Sequence, residues 1–205
     1  MNAKDVAREM RHSSGRSYAE ASHDAARRLA DQAAGAGLLD VAYAELDSPL
    51  GSLLVASTPK GLVRLAYPDE RRDGVLDDLA TKVSPRLLEA PERLDEVRRR
   101  LDDYFEGRTH EFEIEVDYAL TKGFVRRVLR ATARIPFGKL ATYRVIARRA
   151  GSPNGYRAAG NALGSNPIPI VVPCHRVVHS TGGLGGYTGG LERKEFLLHL
   201  EGALD

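Results

Sequence analysis

Asn166-Pro-Ile-Pro-Ile-Val-Val-Pro-Cys-His-Arg176 is the stretch on which the reading of this chain turns, and it holds the only cysteine, Cys174. Ile168 and the apolar run 170–172 predict a short buried segment, stiffened by Pro167, Pro169 and Pro173. Proline restricts the backbone and removes a donor, so the segment hands Cys174 over in a fixed geometry. A lone cysteine is commonly a small buried hydrophobe. Here His175 and Arg176 follow at once, with no carboxylate nearby in sequence, and such neighbours lower a thiol's pKa and raise its thiolate fraction. Residue types alone leave both readings open. One cysteine does exclude an internal disulfide and a Cys-based zinc cluster, and it points to a reducing, cytoplasmic setting.

Outward from that segment the charge is unevenly spread. The 205 residues carry a formal net charge of +2, yet residues 1–117 hold 17 Lys+Arg against 24 Asp+Glu, and residues 118–205 hold 13 against 4. No acidic residue occurs between Tyr118 and Leu191. An acidic half is joined to a basic half, and Cys174 sits in the basic one. The apolar content of 42% supports one large domain or two small ones. No run approaches a membrane span, and the N-terminus lacks the apolar core of a secretory signal.

Residues 1–38 are rich in Ala, Arg and Asp and read as a mobile or weakly docked extension, with a helix of small residues expected over 24–34. Residues 39–117 read as a small α/β domain. Short apolar runs at 41–46, 52–57 and 62–67, separated by Ser-Pro-Leu-Gly (48–51) and Thr-Pro-Lys-Gly (58–61), predict an antiparallel meander. Helices are expected over 75–83 and 91–105, the latter with Leu94, Val97, Leu101, Tyr104 and Phe105 on one face, and a strand over 111–116. Residues 118–205 read as mainly α-helical, with helices over 121–134, 142–150, 155–163 and 191–200. The second and third, joined by Gly-Ser-Pro-Asn (151–154), form a helix-turn-helix pattern that any helical hairpin would also give. The basic, acid-free setting adds weight to a second helix that faces nucleic acid, without excluding the plain hairpin. Residues 182–190 hold six glycines around Tyr187 and Thr188, lack a phosphate-binding motif, and read as either a flexible loop or one wall of a flat pocket. The last helix is expected to pack through Leu191, Leu197, Leu198 and Leu200, with Glu201 just beyond it.

Taken together, Pro-Cys-His-Arg-Val-Val (173–178), Asn-Pro-Ile-Pro-Ile (166–170), Tyr-Thr-Gly-Gly-Leu-Glu-Arg-Lys-Glu-Phe-Leu-Leu (187–198), Phe-Gly-Lys-Leu-Ala-Thr-Tyr (137–143) and Arg-Ala-Ala-Gly-Asn-Ala (157–162) resemble the O6-alkylguanine-DNA alkyltransferases, also called methylated-DNA–protein-cysteine methyltransferases. The resemblance is strong over about 119–203, fainter over 40–117 and absent over 1–38. It implies a ribonuclease H-like N-terminal α/β domain and a winged-helix-like C-terminal domain. It also implies repair by direct damage reversal: one alkyl group moves from O6-alkylguanine in duplex DNA, with O4-alkylthymine a second candidate, to Cys174 after the nucleotide flips out. Each molecule would act once, as a monomer without cofactor or metal; cooperative assembly on DNA is left open.

By the same resemblance, His175 takes the Cys174 proton through water and Glu201 stands behind that histidine. Asn166 links the recognition helix to the cysteine segment, and Tyr143 assists flipping and donates to the leaving oxygen. Tyr187, Thr188, Gly189, Leu163 and Pro169 are expected to form the pocket. Arg157 is the finger that fills the gap in the duplex, with Ala158, Gly160, Asn161, Ser152, Ser180, Arg144 and Tyr143 as further DNA contacts. The chemistry suits these roles: a thiolate is a soft nucleophile for displacement at carbon, and the leaving oxygen needs a donor. Tyr156 and Gly164 depart from the family pattern. Three rival readings are weaker. Alkyltransferase-like proteins, which bind alkylated bases, lack the cysteine. A Cys174–His175–Glu201 hydrolase triad is disfavoured because neighbours on an extended strand point to opposite faces. A purely regulatory helix-turn-helix protein leaves the cysteine segment unexplained.

Overall fold

A computed structural model of the chain describes residues 24–204, positions 26, 29, 31 and 34 apart. The expectation for residues 1–38 therefore lies largely outside the described residues. Those described between 24 and 35 are helical, and Ala30 is buried against Ala42 and Ala90.

The first half is a four-stranded sheet. Strands β1 (Val41–Leu46), β2 (Leu53–Thr58) and β3 (Gly61–Ala66) form the expected antiparallel meander. Helix α1 (Arg72–Lys82) then carries the chain across the sheet, and the three-residue β4 (Leu87–Glu89) returns beside β1 and parallel to it. The sheet is thus mixed, in the order β3-β2-β1-β4, where an antiparallel sheet was expected. Leu-Leu-Glu is too short to show a period of two, so β4 had no signal of its own. Successive residues of β2 point to opposite faces, and in β3 a bulge opposite Ala56 and Ser57 shifts the alternation by one residue. Leu53, Val55, Leu62 and Leu65 join the main core, while Leu54, Ala56, Val63 and Ala66 pack with Val75 and Leu79 of α1.

Two further expectations need correction. Pro91 opens a 3-10 turn (Pro91–Leu94), and helix α2 starts only at Asp95, running to Phe105. Residues 111–116 do not form a strand. Their only ladder contact is one parallel bridge, Leu62 to Val116. The reason lies at the sheet edge: β3 is the outer strand, but the backbone N–H of Leu65 donates to the carbonyl of Pro167 at 2.9 Å. The edge that residues 111–116 would have extended along is taken by the cysteine segment.

The second half is helical: α3 (Gly123–Thr132), α4 (Tyr143–Arg149), α5 (Tyr156–Gly164) and α6 (Leu191–Leu200). Thr142 caps α4 by accepting from Val145 N at 3.3 Å, as its sequence position predicts. Two-residue strands β5 (Ala141–Thr142) and β6 (Val177–Val178) pair in parallel, tying the start of α4 to the residues after Cys174. Leu197 and Leu198 of α6 are buried, but Leu191 is 52% exposed and does not pack as expected. One core runs through both halves: Leu53, Leu101 and Tyr104 belong to the same cluster as Val128, Ile146, Val172 and Leu197. Among the described residues no helix is long and apolar enough to cross a membrane.

Candidate active site

Residues 166–173 cross the interior without regular structure. Their backbone groups are satisfied by tight local bonds: Val171 N donates to Pro169 O at 2.9 Å, Val172 N to Ile168 O at 2.9 Å, and Cys174 N to Val172 O at 2.8 Å. Ile170 sits in the left-handed region at φ 72°, which a β-branched residue adopts only under strain, about 1–3 kcal/mol. Its complete burial and the flanking prolines hold it there. Asn166 completes the brace. Its Nδ2 donates to Val172 O at 2.8 Å and to Cys174 Sγ at 3.0 Å, and its Oδ1 accepts from Ile168 N at 3.1 Å.

Cys174 opens a 3-10 turn, Cys174–Arg176, rather than an extended strand, so the opposite-faces argument against a hydrolase triad does not apply to it. What separates the groups is their partners. His175 Nε2 lies 2.9 Å from Glu201 Oε1 inside the protein. Glu201 also accepts from Tyr104 Oη at 2.7 Å, from Arg176 Nη2 and Nε at 2.8 Å each, and from the backbone N of Gly138 at 3.2 Å. Burial alone would raise the carboxyl's pKa; the hydrogen bonds and positive charge from His175 and Arg176 overcome it and hold the group down at about 2. An ionised Glu201 makes Nε2 the protonated nitrogen of His175, which leaves Nδ1 as the acceptor. Nδ1 is buried and meets no protein partner. Burial keeps His175 from charging readily, lowering its pKa below 6.5.

The expectation that His175 and Arg176 would depress the Cys174 pKa is not met. Burial pushes the thiol up to about 11, against the opposing Asn166 hydrogen bond and the charge of Lys194. Arg176 is spent on Glu201 and on the carbonyl of Ile135, at 2.6 Å. The nearby cation is instead Lys194, buried in α6, whose Nζ donates to Val177 O at 2.6 Å and to Leu184 O. Burial brings its pKa down to about 8.

A cavity of about 610 Å³ opens onto Cys174, which is almost fully buried. The structure brings Tyr143, Arg144, Arg157, Gly160, Leu163, Ser180, Tyr187 and Thr188 to its lining, together with Tyr156, Gly164 and Gly186. The glycine-rich stretch is therefore a pocket wall: Tyr143 Oη donates to Gly186 O at 3.4 Å and Thr188 Oγ1 to Gly164 O at 2.9 Å. His175, Glu201 and Asn166 stand behind Cys174, outside the cavity. Five expected residues are elsewhere. Pro169 faces a second cleft, and Gly189 is buried behind Tyr187. Ala158 and Asn161 are exposed on α5 away from the lining, and Ser152, half-buried in the turn before it, also lies outside the lining. Tyr104 and Tyr67 lie outside the sequence motifs that point to the site, whereas Lys194 lies within the motif at 187–198. Lys194 carried a usable signal, since it falls on the apolar face of α6 with Leu197 and Leu198; Tyr104 looked like an ordinary core residue.

Residues 41–118 match the family model described as "6-O-methylguanine DNA methyltransferase, ribonuclease-like domain", and residues 123–203 match "6-O-methylguanine DNA methyltransferase, DNA binding domain". A methylated-DNA–protein-cysteine methyltransferase of Mycolicibacterium paratuberculosis is 40% identical over 161 residues, covering 78% of this chain and 92% of that protein. One from Methanosarcina barkeri is 37% identical over 159 residues, covering 78% and 96%. The crystal structure of Mycobacterium tuberculosis OGT in complex with DNA superposes with a TM-score of 0.66 at 36% identity, over 78% of this chain and 92% of that one. Two domains braced around a buried, cavity-facing cysteine define a DNA alkyltransferase architecture. The chain belongs to the methylated-DNA–protein-cysteine methyltransferase family.

Proposed function

We propose that this protein repairs alkylated DNA by moving the alkyl group from guanine O6 to Cys174, once per molecule. The observation that carries the reading is a single cysteine, braced by Asn166 and backed by the His175–Glu201 pair, opening onto a cavity bordered by α5. Target carbons inside a stacked duplex are out of reach, so the nucleotide must flip into that cavity. The reaction is then a displacement. The thiol proton passes through a water to Nδ1 of His175, the sulfur bonds to the alkyl carbon, and the C–O bond breaks with its electron pair left on guanine. Tyr143, a phenol whose pKa is raised by burial and by the charge of Cys174, stays protonated to donate to the leaving oxygen. With a resting pKa of about 11, Cys174 is a thiol at neutral pH, which protects it from adventitious alkylation until substrate is seated. The thioether has no hydrolytic exit, so the molecule is consumed.

DNA engagement is assigned to residues 118–205, with α4 and α5 acting as a helix-turn-helix and Arg157 as the finger; residues 39–117 support the site. The exposed Arg148 and Arg149 of α4 add to the positive field of this half. The protein acts as a cytoplasmic monomer in this reading. Replacing Arg157 by Ala tests it: repair in duplex DNA should fall on the order of tenfold or more, while transfer from free O6-alkylguanine base stays within about twofold. Equal losses on both substrates would remove the finger role.

A further inference from the structure

The wall that carries Tyr187 is held from the other half of the molecule. Tyr67, one residue past the end of β3, is buried, and its hydroxyl lies 2.6 Å from that of Tyr187. The two rings meet edge-on, with centroids 6.3 Å apart and planes at 67°. Among the described residues, the Tyr187 hydroxyl has no other hydrogen-bond partner. The contact is built with little slack. A Cβ on Gly189 would stand 2.4 Å from Tyr67 Cε2 and 2.8 Å from Tyr187 Cε1, so only glycine lets the rings meet. Arg193 of α6 lays its guanidinium over Tyr67 at 4.5 Å while donating to Gly189 O at 2.9 Å and Asp69 Oδ1 at 2.7 Å. On the other side, Tyr67 N donates to Glu70 Oε1 at 3.0 Å, Glu70 pairs with Arg64, and Arg64 Nη1 donates to Pro167 O at 3.0 Å. Strand β3 and the loop after it thus grip both the Tyr187 wall and the residue next to Asn166.

We propose that Tyr67 is a positioning residue that sets which alkyl groups this protein accepts, by holding the Tyr187 hydroxyl and with it the pocket wall facing Cys174. Tyr67 does not itself line the cavity; Tyr187 does. A wall held close confines a small group beside the sulfur, where displacement needs near-contact geometry. A wall set free costs a methyl group its confinement but gives a bulky group room, and that group restores its own contacts. Burial raises the pKa of both phenols, so the pair persists as hydroxyls through neutral pH. The proposal rests on the reading of Cys174 as the alkyl acceptor.

The test measures single-turnover transfer to Cys174 from duplex oligonucleotides carrying O6-methylguanine or O6-benzylguanine, in wild type, Tyr67→Phe, Tyr187→Phe and the double variant. Tyr67→Phe should slow methyl transfer about three- to tenfold, the worth of one hydrogen bond, while benzyl transfer falls less than about twofold. The double variant should match Tyr187→Phe alone, because either substitution breaks the same pair. Should Tyr67→Phe fold poorly, Gly189→Ala separates the rings with both hydroxyls kept and should shift the benzyl-to-methyl ratio the same way. Equal losses on both substrates, or additive losses in the double variant, would overturn the role of Tyr67. A wild type that transfers neither group would instead overturn the reading beneath it.

Discussion

Glu201 is the residue around which the buried polar groups behind Cys174 are arranged, and most of its partners come from segments far away in sequence: Tyr104 in α2, Gly138 before β5, and His175 and Arg176 after the cysteine. A buried carboxylate with this many donors works in two ways. It sets the tautomer of His175, and it neutralises Arg176, which would otherwise be a bare charge in the core. Glu201→Gln should therefore destabilise the fold by about 3–5 kcal/mol, read as a lower urea midpoint, because Arg176 is left unpaired. Acid should act in the same direction. The Glu201 pKa lies at about 2 in the folded protein against 4.5 for the free group, so its stabilisation is complete above 4.5 and is lost as pH falls toward 2. His175, with a folded pKa below 6.5, also binds its proton more readily when unfolded, adding to the loss from 6.5 downward. Urea midpoints measured at about pH 7 and about pH 3 should drop steeply in wild type and less in Glu201→Gln; identical slopes would contradict the assignment.

Among the elements, helices with a clear apolar face were legible in the sequence and boundaries were not. Val97, Leu101 and Tyr104 recur at helical spacing and form the buried face of α2, but the proline at the start of the expected helix opens a 3-10 turn instead. The strand expected over 111–116 had the right alternation, and failed because a distant segment already bonds the sheet edge at Leu65. Alternation reports which side chains are apolar; it says nothing of who takes the edge. The same limit explains the site. Cys174, His175, Asn166 and Glu201 were legible as a motif, whereas Tyr67 and Tyr104 join it only through the tertiary fold. The glycine-rich wall is a testable element. Gly185 adopts φ 73°, and a Cβ there would lie 2.5 Å from the Tyr143 hydroxyl. Gly185→Ala should cost about 1–3 kcal/mol locally and slow transfer by displacing Tyr143 from the cavity, while a variant with wild-type rate and melting temperature would show that the wall yields freely.

At the scale of the whole molecule, the net charge of +2 conceals an acidic half joined to a basic half that carries the cavity. The halves are not independent. One core runs through both, and backbone and side chains of β3 and the loop after it hold the cysteine segment at Pro167 and the pocket wall at Tyr187. The chemistry converges on the sulfur of Cys174, and having only one cysteine makes it directly readable. Protein mixed with excess duplex carrying O6-methylguanine and then digested should give a Cys174 peptide heavier by one methylene, in one-to-one yield, with no gain in Cys174→Ser. Repair of more than one equivalent per molecule, or a methyl group found on any other residue, would contradict it.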